Sequence, residues 1–183
     1  DGIIRLMRSS KRTINRELTN VLAKGFSVTA AYWPGSAGGD GVSLFNAAHP
    51  VKSEPGVTYS NLRAAALSAA ELEAAIQAYK TTVKAPSGFR IDTPDTFTLL
   101  VPRALETTAR KILNSSGDQA GLWAGTGSNA NLMNVFSFQG SKVELVVLDM
   151  LGETDKAGGK IGGANADNMW FLLNKSYALE YGA

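Results

Sequence analysis

The sequence predicts a layered domain of α and β elements, a sheet with flanking helices, and three observations point to it. Residues 67 to 84 carry the pattern of a capped amphipathic helix. Residues 96 to 101 read as a buried strand, followed at once by a second helical pattern over 105 to 113. Two further β-rich apolar runs occur at 143 to 148 and 169 to 173. Such an alternation argues for an α/β or α+β layer, and 183 residues suffice for a sizeable core.

Taken in order, the first pattern is helical and covers residues 3 to 24. Ile14, Leu18, Val21 and Leu22 recur at helical spacing, and Ile3, Ile4 and Met7 extend the same face backwards. Gly25 suits a left-handed C-terminal cap. The opposite side holds Arg5, Arg8, Lys11, Arg12 and Arg16, a face able to meet phosphates or an acidic neighbour, or to stay solvated. Phe26 to Trp33 could form a strand, and Pro34 to Gly41 is a Gly-rich turn. The segment 26 to 66 is loop-rich but too apolar at Tyr32, Trp33 and Phe45 for a linker.

In the helix at 67 to 84, Ser68 and Glu71 supply a capping box, and Leu67 and Leu72 a hydrophobic staple. Leu72, Ala75, Ile76, Tyr79 and Val83 form its buried stripe. Thr96 to Val101 ends in a continuous apolar run, as a central strand does. Pro102 stops that strand and pre-sets the next helix, whose inner face is Leu105, Ala109, Ile112 and Leu113. Residues 114 to 131 are rich in Gly, Ser and Asn. Gly152 to Asp167 carries five glycines and mixed charge and is expected to be a mobile loop. The pattern starts inside a helix and stops at Tyr177 to Ala183 without a cap, which predicts a piece of a longer chain.

Composition narrows the chemistry. Net charge is +2, so nothing global argues for nucleic acid or an anionic membrane as the main partner. Zero cysteines exclude disulfides, thiolate zinc and thiol catalysis. No apolar run approaches the roughly 20 residues a membrane span requires. No cofactor or metal is expected.

The candidate chemical motifs are weak. Gly125-Thr126-Gly127-Ser128-Asn129-Ala130 matches a dinucleotide-binding fingerprint, but without a strand before it or a helix after it. A Ser-His-Asp set could be drawn from Ser43, the single histidine His49, and Asp40, yet there is no nucleophile elbow. Asp92 and Asp95 read as turn formers around Thr93-Pro94. Trp33, Trp123 and Trp170 read as packing residues before pocket residues. A structural or assembly role gains weight, and no enzyme is expected.

The order of short motifs is informative where single motifs are not. It runs through Arg12-Thr13-Ile14, Val21-Leu22, Asp40-Gly41-Val42-Ser43-Leu44-Phe45, Ala48-His49-Pro50, Ser60-Asn61-Leu62 and Leu67-Ser68. It continues with Thr93-Pro94, Leu100-Val101-Pro102, Ala104-Leu105-Glu106, Ala109, Ile112-Leu113-Asn114-Ser115, Val143 to Val147 and Trp170 to Leu173. In this order the chain resembles the major capsid (head) proteins of tailed bacteriophages with the HK97-like fold, especially the Mu-like major head subunits. The resemblance implies an α+β class: an axial (A) domain of mixed sheet with flanking helices, plus the end of the peripheral-domain spine helix.

On that resemblance, residues 1 to 25 are spine helix, 26 to 66 a connection, and 67 to 183 the axial domain with the start of the return. It implies a subunit of an icosahedral phage or prophage shell, self-assembling into pentamers and hexamers around double-stranded DNA without sequence specificity. Scaffold, portal or decoration proteins are further implied partners; a membrane is not. The implied location is the virion, assembled in the bacterial cytoplasm. The loop residues Gly152, Lys156, Gly158, Gly159, Lys160, Gly162 and Gly163 would lie near a ring axis. An encapsulin-like compartment shell and a hydrolase using His49 are the alternatives.

Asp40, Gly41, Leu44, Phe45, His49 and Pro50 then read as a structural joint. Asp40-Gly41 and His49-Pro50 would fix two bends, while Leu44 and Phe45 would anchor the crossing chain in the core. On this reading truncating Phe45 should cost far more than replacing His49.

Overall fold

The computed structural model describes residues 2–28, 40–84, 88–91, 96–114, 142–154 and 158–174. The elements are α1 (Gly2–Ala23), β1 (His49–Pro50), β2 (Thr58–Tyr59), α2 (Ala69–Thr82), β3 (Thr96–Pro102), α3 (Glu106–Asn114), β4 (Lys142–Leu148) and β5 (Phe171–Asn174). Single 3₁₀ turns at Arg103–Leu105 and Ala166–Asn168 lead into α3 and towards β5. The order in the main sheet is β4-β3-β5, with β3 parallel to β4 and antiparallel to β5. It is a mixed sheet, and the class is α+β.

Strand alternation sends the two sides of β3 into separate cores. Phe97, Leu99 and Val101 face one way and meet Leu72 and Ile76 of α2, Ala109 and Ile112 of α3, and Val143 of β4. Leu100 faces the other way, with Phe171, Leu151, Ala166 and Ala23 from the last turn of α1. Register agrees, since Leu99 pairs with Leu172 and Leu100 with Phe171. The helix α2 begins as its sequence suggests: Ser68 caps it by accepting the Glu71 N–H at 3.2 Å. Only half of the expected capping box forms, because the Glu71 carboxylate turns to the Arg63 guanidinium at 2.8 Å.

Several expectations are corrected. Gly25 has no positive φ, so it is not a left-handed cap. Its lack of a side chain matters for another reason: a Cβ there would stand 3.0 Å from the Phe45 ring. Phe26 to Val28 form a turn and bend, not the start of a strand. Of the α1 stripe, only Val21 and Leu22 are half-buried, while Ile3, Ile4, Met7, Ile14 and Leu18 are all exposed; the buried residues of the helix are Thr19 and Ala23, beside the stripe. The helix has a sided sequence, but within one chain only its last turns find a core.

The segment 152 to 167 is not a loose loop in its described part. Gly152 N–H donates to the Ile161 carbonyl and Ile161 N–H to that of Glu153, both at 2.9 Å, which makes a small hairpin. Gly152, Gly158, Gly162 and Gly163 all have positive φ, the backbone such reversals require. Leu151 and Ala166 at its base are buried, so the hairpin is folded back onto the second core. Lys156 lies outside the described residues, as do the Gly125–Ala130 motif, Asp92, Asp95, Trp33, Trp123 and Tyr177 to Ala183.

Candidate functional site

The connection from Asp40 to Asn61 is assembled from side-chain hydrogen bonds more than from sheet. Asp40-Gly41 makes a turn in which Gly41 takes φ of 84° and Asp40 Oδ1 accepts the Val42 N–H at 3.2 Å. The other carboxylate oxygen, Oδ2, lies 2.6 Å from His49 Nδ1. Pro55-Gly56 turns the chain back so that β1 and β2 pair, setting Tyr59 opposite His49. Their rings stack with centroids 5.1 Å apart.

Burial alone would raise the Asp40 carboxyl, but the His49 hydrogen bond, the Val42 N–H and the field of His49 outweigh it. The group is held below the usual carboxylate range. A carboxylate in that state only accepts, so His49 Nδ1 carries the shared proton. Burial and the nearby Asp40 charge push the Tyr59 phenol upward. His49 Nε2 is buried and finds no partner among the described residues.

A second clasp lies beside the first. Asn61 Oδ1 accepts the Asn46 N–H at 2.8 Å, and Asn61 Nδ2 donates to the Leu44 carbonyl at 2.8 Å. Asn46 in turn accepts the Ala48 N–H at 2.9 Å. Phe45 completes the crossing. Its N–H donates to the Gly25 carbonyl at 2.9 Å, and its ring packs 5.0 Å from Phe26 and 5.2 Å from Phe171.

The structure therefore joins Asp40 to His49 but leaves Ser43 out. The Ser43 hydroxyl donates to the Phe45 carbonyl and accepts from Asn46 Nδ2, so it is committed to the turn and not to the imidazole. Leu44 is corrected too. It is 42% exposed, while the neighbouring Phe45 ring is half-buried against Phe26 and Phe171. Pro50 is exposed and closes the ribbon. Sequence reasoning missed Asn46, Tyr59 and Asn61. Paired asparagines flanking two turn signals were the available clue.

Other predicted residues are placed plainly. Trp170 packs beside the helix-side core and its indole N–H donates to the Ala65 carbonyl at 2.9 Å, a packing role. Lys160 pairs with Asp167. Of the basic residues on α1, Arg12 pairs with Glu153 and Arg16 with Glu17. That helix holds five of the chain's 18 Lys and Arg and one of its 16 Asp and Glu. It thus carries +4 of a net +2, and the rest of the chain is −2. Among the described residues no group of three His, Asp or Glu is placed to hold a metal. No described helix is long and apolar enough to cross a membrane.

Fold and site together describe an α+β chain in which Asp40 and His49 form a hydrogen-bonded clasp. The chain belongs to the phage capsid protein family, whose profile, described as "Phage capsid protein", matches residues 1–182. Such a family is structural, its members self-assemble into a shell, and their location is the virion. No curated protein and no solved structure gives a significant match.

Proposed function

We propose that this chain is a major head subunit of a tailed phage or prophage, HK97-like in fold and similar to the Mu-like head proteins. Copies associate into pentamers and hexamers of an icosahedral shell, which encloses double-stranded DNA through contacts that ignore sequence. In this reading α1 is the end of the spine helix, and 67 to 183 the axial domain. Asp40, Gly41, Phe45, His49 and Pro50 form the joint between them. The hairpin at 152 to 167, with Lys160 and its glycines, faces the ring axis.

One observation carries the assembly reading beyond family membership. Ile3, Ile4, Leu6, Met7 and Ile14 are each more than half exposed along a single helix. A contiguous apolar stripe of this kind marks an association surface. Specificity then rests on surface complementarity within closed symmetry and on no reacting group. Electron micrographs of the protein expressed from its complete reading frame should show rings or closed shells of uniform size. A field containing only monomers at high concentration overturns the proposal.

A further inference from the structure

The attachment of α1 is unusual for a helix of 22 residues, which is about 33 Å long at 1.5 Å per residue. Every residue from Ile3 to Arg16 is exposed. Among the described residues it is held in two places. At its end, Ala23 and Leu22 enter the second core, and the Gly25 carbonyl is bound by the Phe45 N–H. Farther out, the Arg12 guanidinium pairs with Glu153 of the hairpin. Between those attachments lies an open cleft of about 560 Å³. Arg16, Glu17 and Asn20 line it from the helix, and Lys160, Ile161 and Gly162 from the hairpin.

The geometry points to α1 as a hinged lever, pivoting at Gly25 on Phe45, with Arg12–Glu153 as an ionic latch across the cleft. Two opposing effects act on the latched position, beside the burial of Thr19 and Ala23 at the pivot end. The latch is exposed, with side-chain exposures of 65% and 37%. A surface pair of that kind shifts an equilibrium by about fivefold at most and weakens with salt. Against it, Glu17 Oε2 is buried without a partner among the described residues, while Oε1 is held by Arg16 at 3.0 Å. Swinging the helix outward rehydrates that oxygen, which favours release. The pivot itself stays, because the Phe26, Phe45 and Phe171 rings keep the helix end in place. This device concerns the unassembled chain, in which the apolar stripe of α1 is uncovered.

The chain has no cysteine, so paired Cys substitutions give clean spin labels. Labels at Ser10 on α1 and Gln77 on α2, both exposed, report the angle by pulsed electron–electron resonance. At low salt one distance should dominate. Glu153→Gln and Arg12→Gln should each broaden it or add a second distance, by up to about fivefold in population. Raising salt should do the same to the unsubstituted chain, and the exchange Arg12→Glu with Glu153→Arg should restore the single distance. An unchanged distribution in both single variants and at high salt overturns the latch. A change in only one of the two single variants overturns it as well, since a pair loses its effect from either side.

Discussion

The two faces of the central sheet are closed in different ways. One is sealed by α2 and α3, whose Leu72, Ile76, Ala109 and Ile112 lie on Phe97, Leu99 and Val101 as continuous aliphatic stripes. The other is sealed by fragments: one turn of α1, a single phenylalanine from the connection, and a hairpin base. The first face needs only helical and strand periodicity. The second is held by isolated side chains and clasps contributed from far apart in the chain. A core made of stripes has many redundant contacts, whereas a core made of fragments depends on each piece.

The sharpest break of that contrast is Phe97→Ala. Phe97 is fully buried and meets Tyr79 edge-on at 5.3 Å, so the loss should be about 3–5 kcal/mol in chemical denaturation. Phe45→Ala should cost less, about 2 kcal/mol, because the ring is only half-buried in the described chain. It should also release α1, read as faster amide exchange at Leu22 and Ala23. His49→Gln should cost about 1–2 kcal/mol, through the lost Asp40 bond and Tyr59 stacking. This departs from the expectation that His49 matters far less than Phe45; His49 is the more buried of the two. Equal melting points for Phe97→Ala and the parent would collapse the distinction between the faces.

Smaller effects refine the comparison. Ser68→Ala removes the cap of α2 on the striped face and should cost about 1 kcal/mol. Asp40 gives the fragmented face a pH signature. Its folded carboxyl sits below the unfolded value of 3.8, so its contribution is complete above that value and fades as pH falls through the folded one. The stability gap between the parent and Asp40→Asn should shrink as pH falls from about 5 into stronger acid. A gap that widens on acidification refutes that sign.

What could be read from the sequence follows the same division. The capped start of α2, the central strand at 96 to 102 and the α3 face were legible because neighbouring residues carry the signal. The α1 helix was legible, but its apolar stripe misled: periodicity shows that a helix is sided, not that its own chain covers the side. Phe26, Phe45 and Phe171 come together from three distant segments, and no local pattern encodes that meeting. The hairpin at 152 to 161 read as mobile because glycines permit disorder as readily as tight turns. The Asp40–His49 clasp was visible only as two turn signals nine residues apart.

The order β4-β3-β5 also sets a schedule. The central strand ends at Pro102, yet its two neighbours start at Lys142 and Phe171. During synthesis at about 5–20 residues per second, the roughly 70 residues between Pro102 and β5 take on the order of 4–14 s. Both edges of β3 lack partners until β4 is made, and one edge lacks its partner for the whole interval; such an edge is a template for aggregation. Translation speed across residues 103 to 171 should therefore govern soluble yield more than speed elsewhere in the chain.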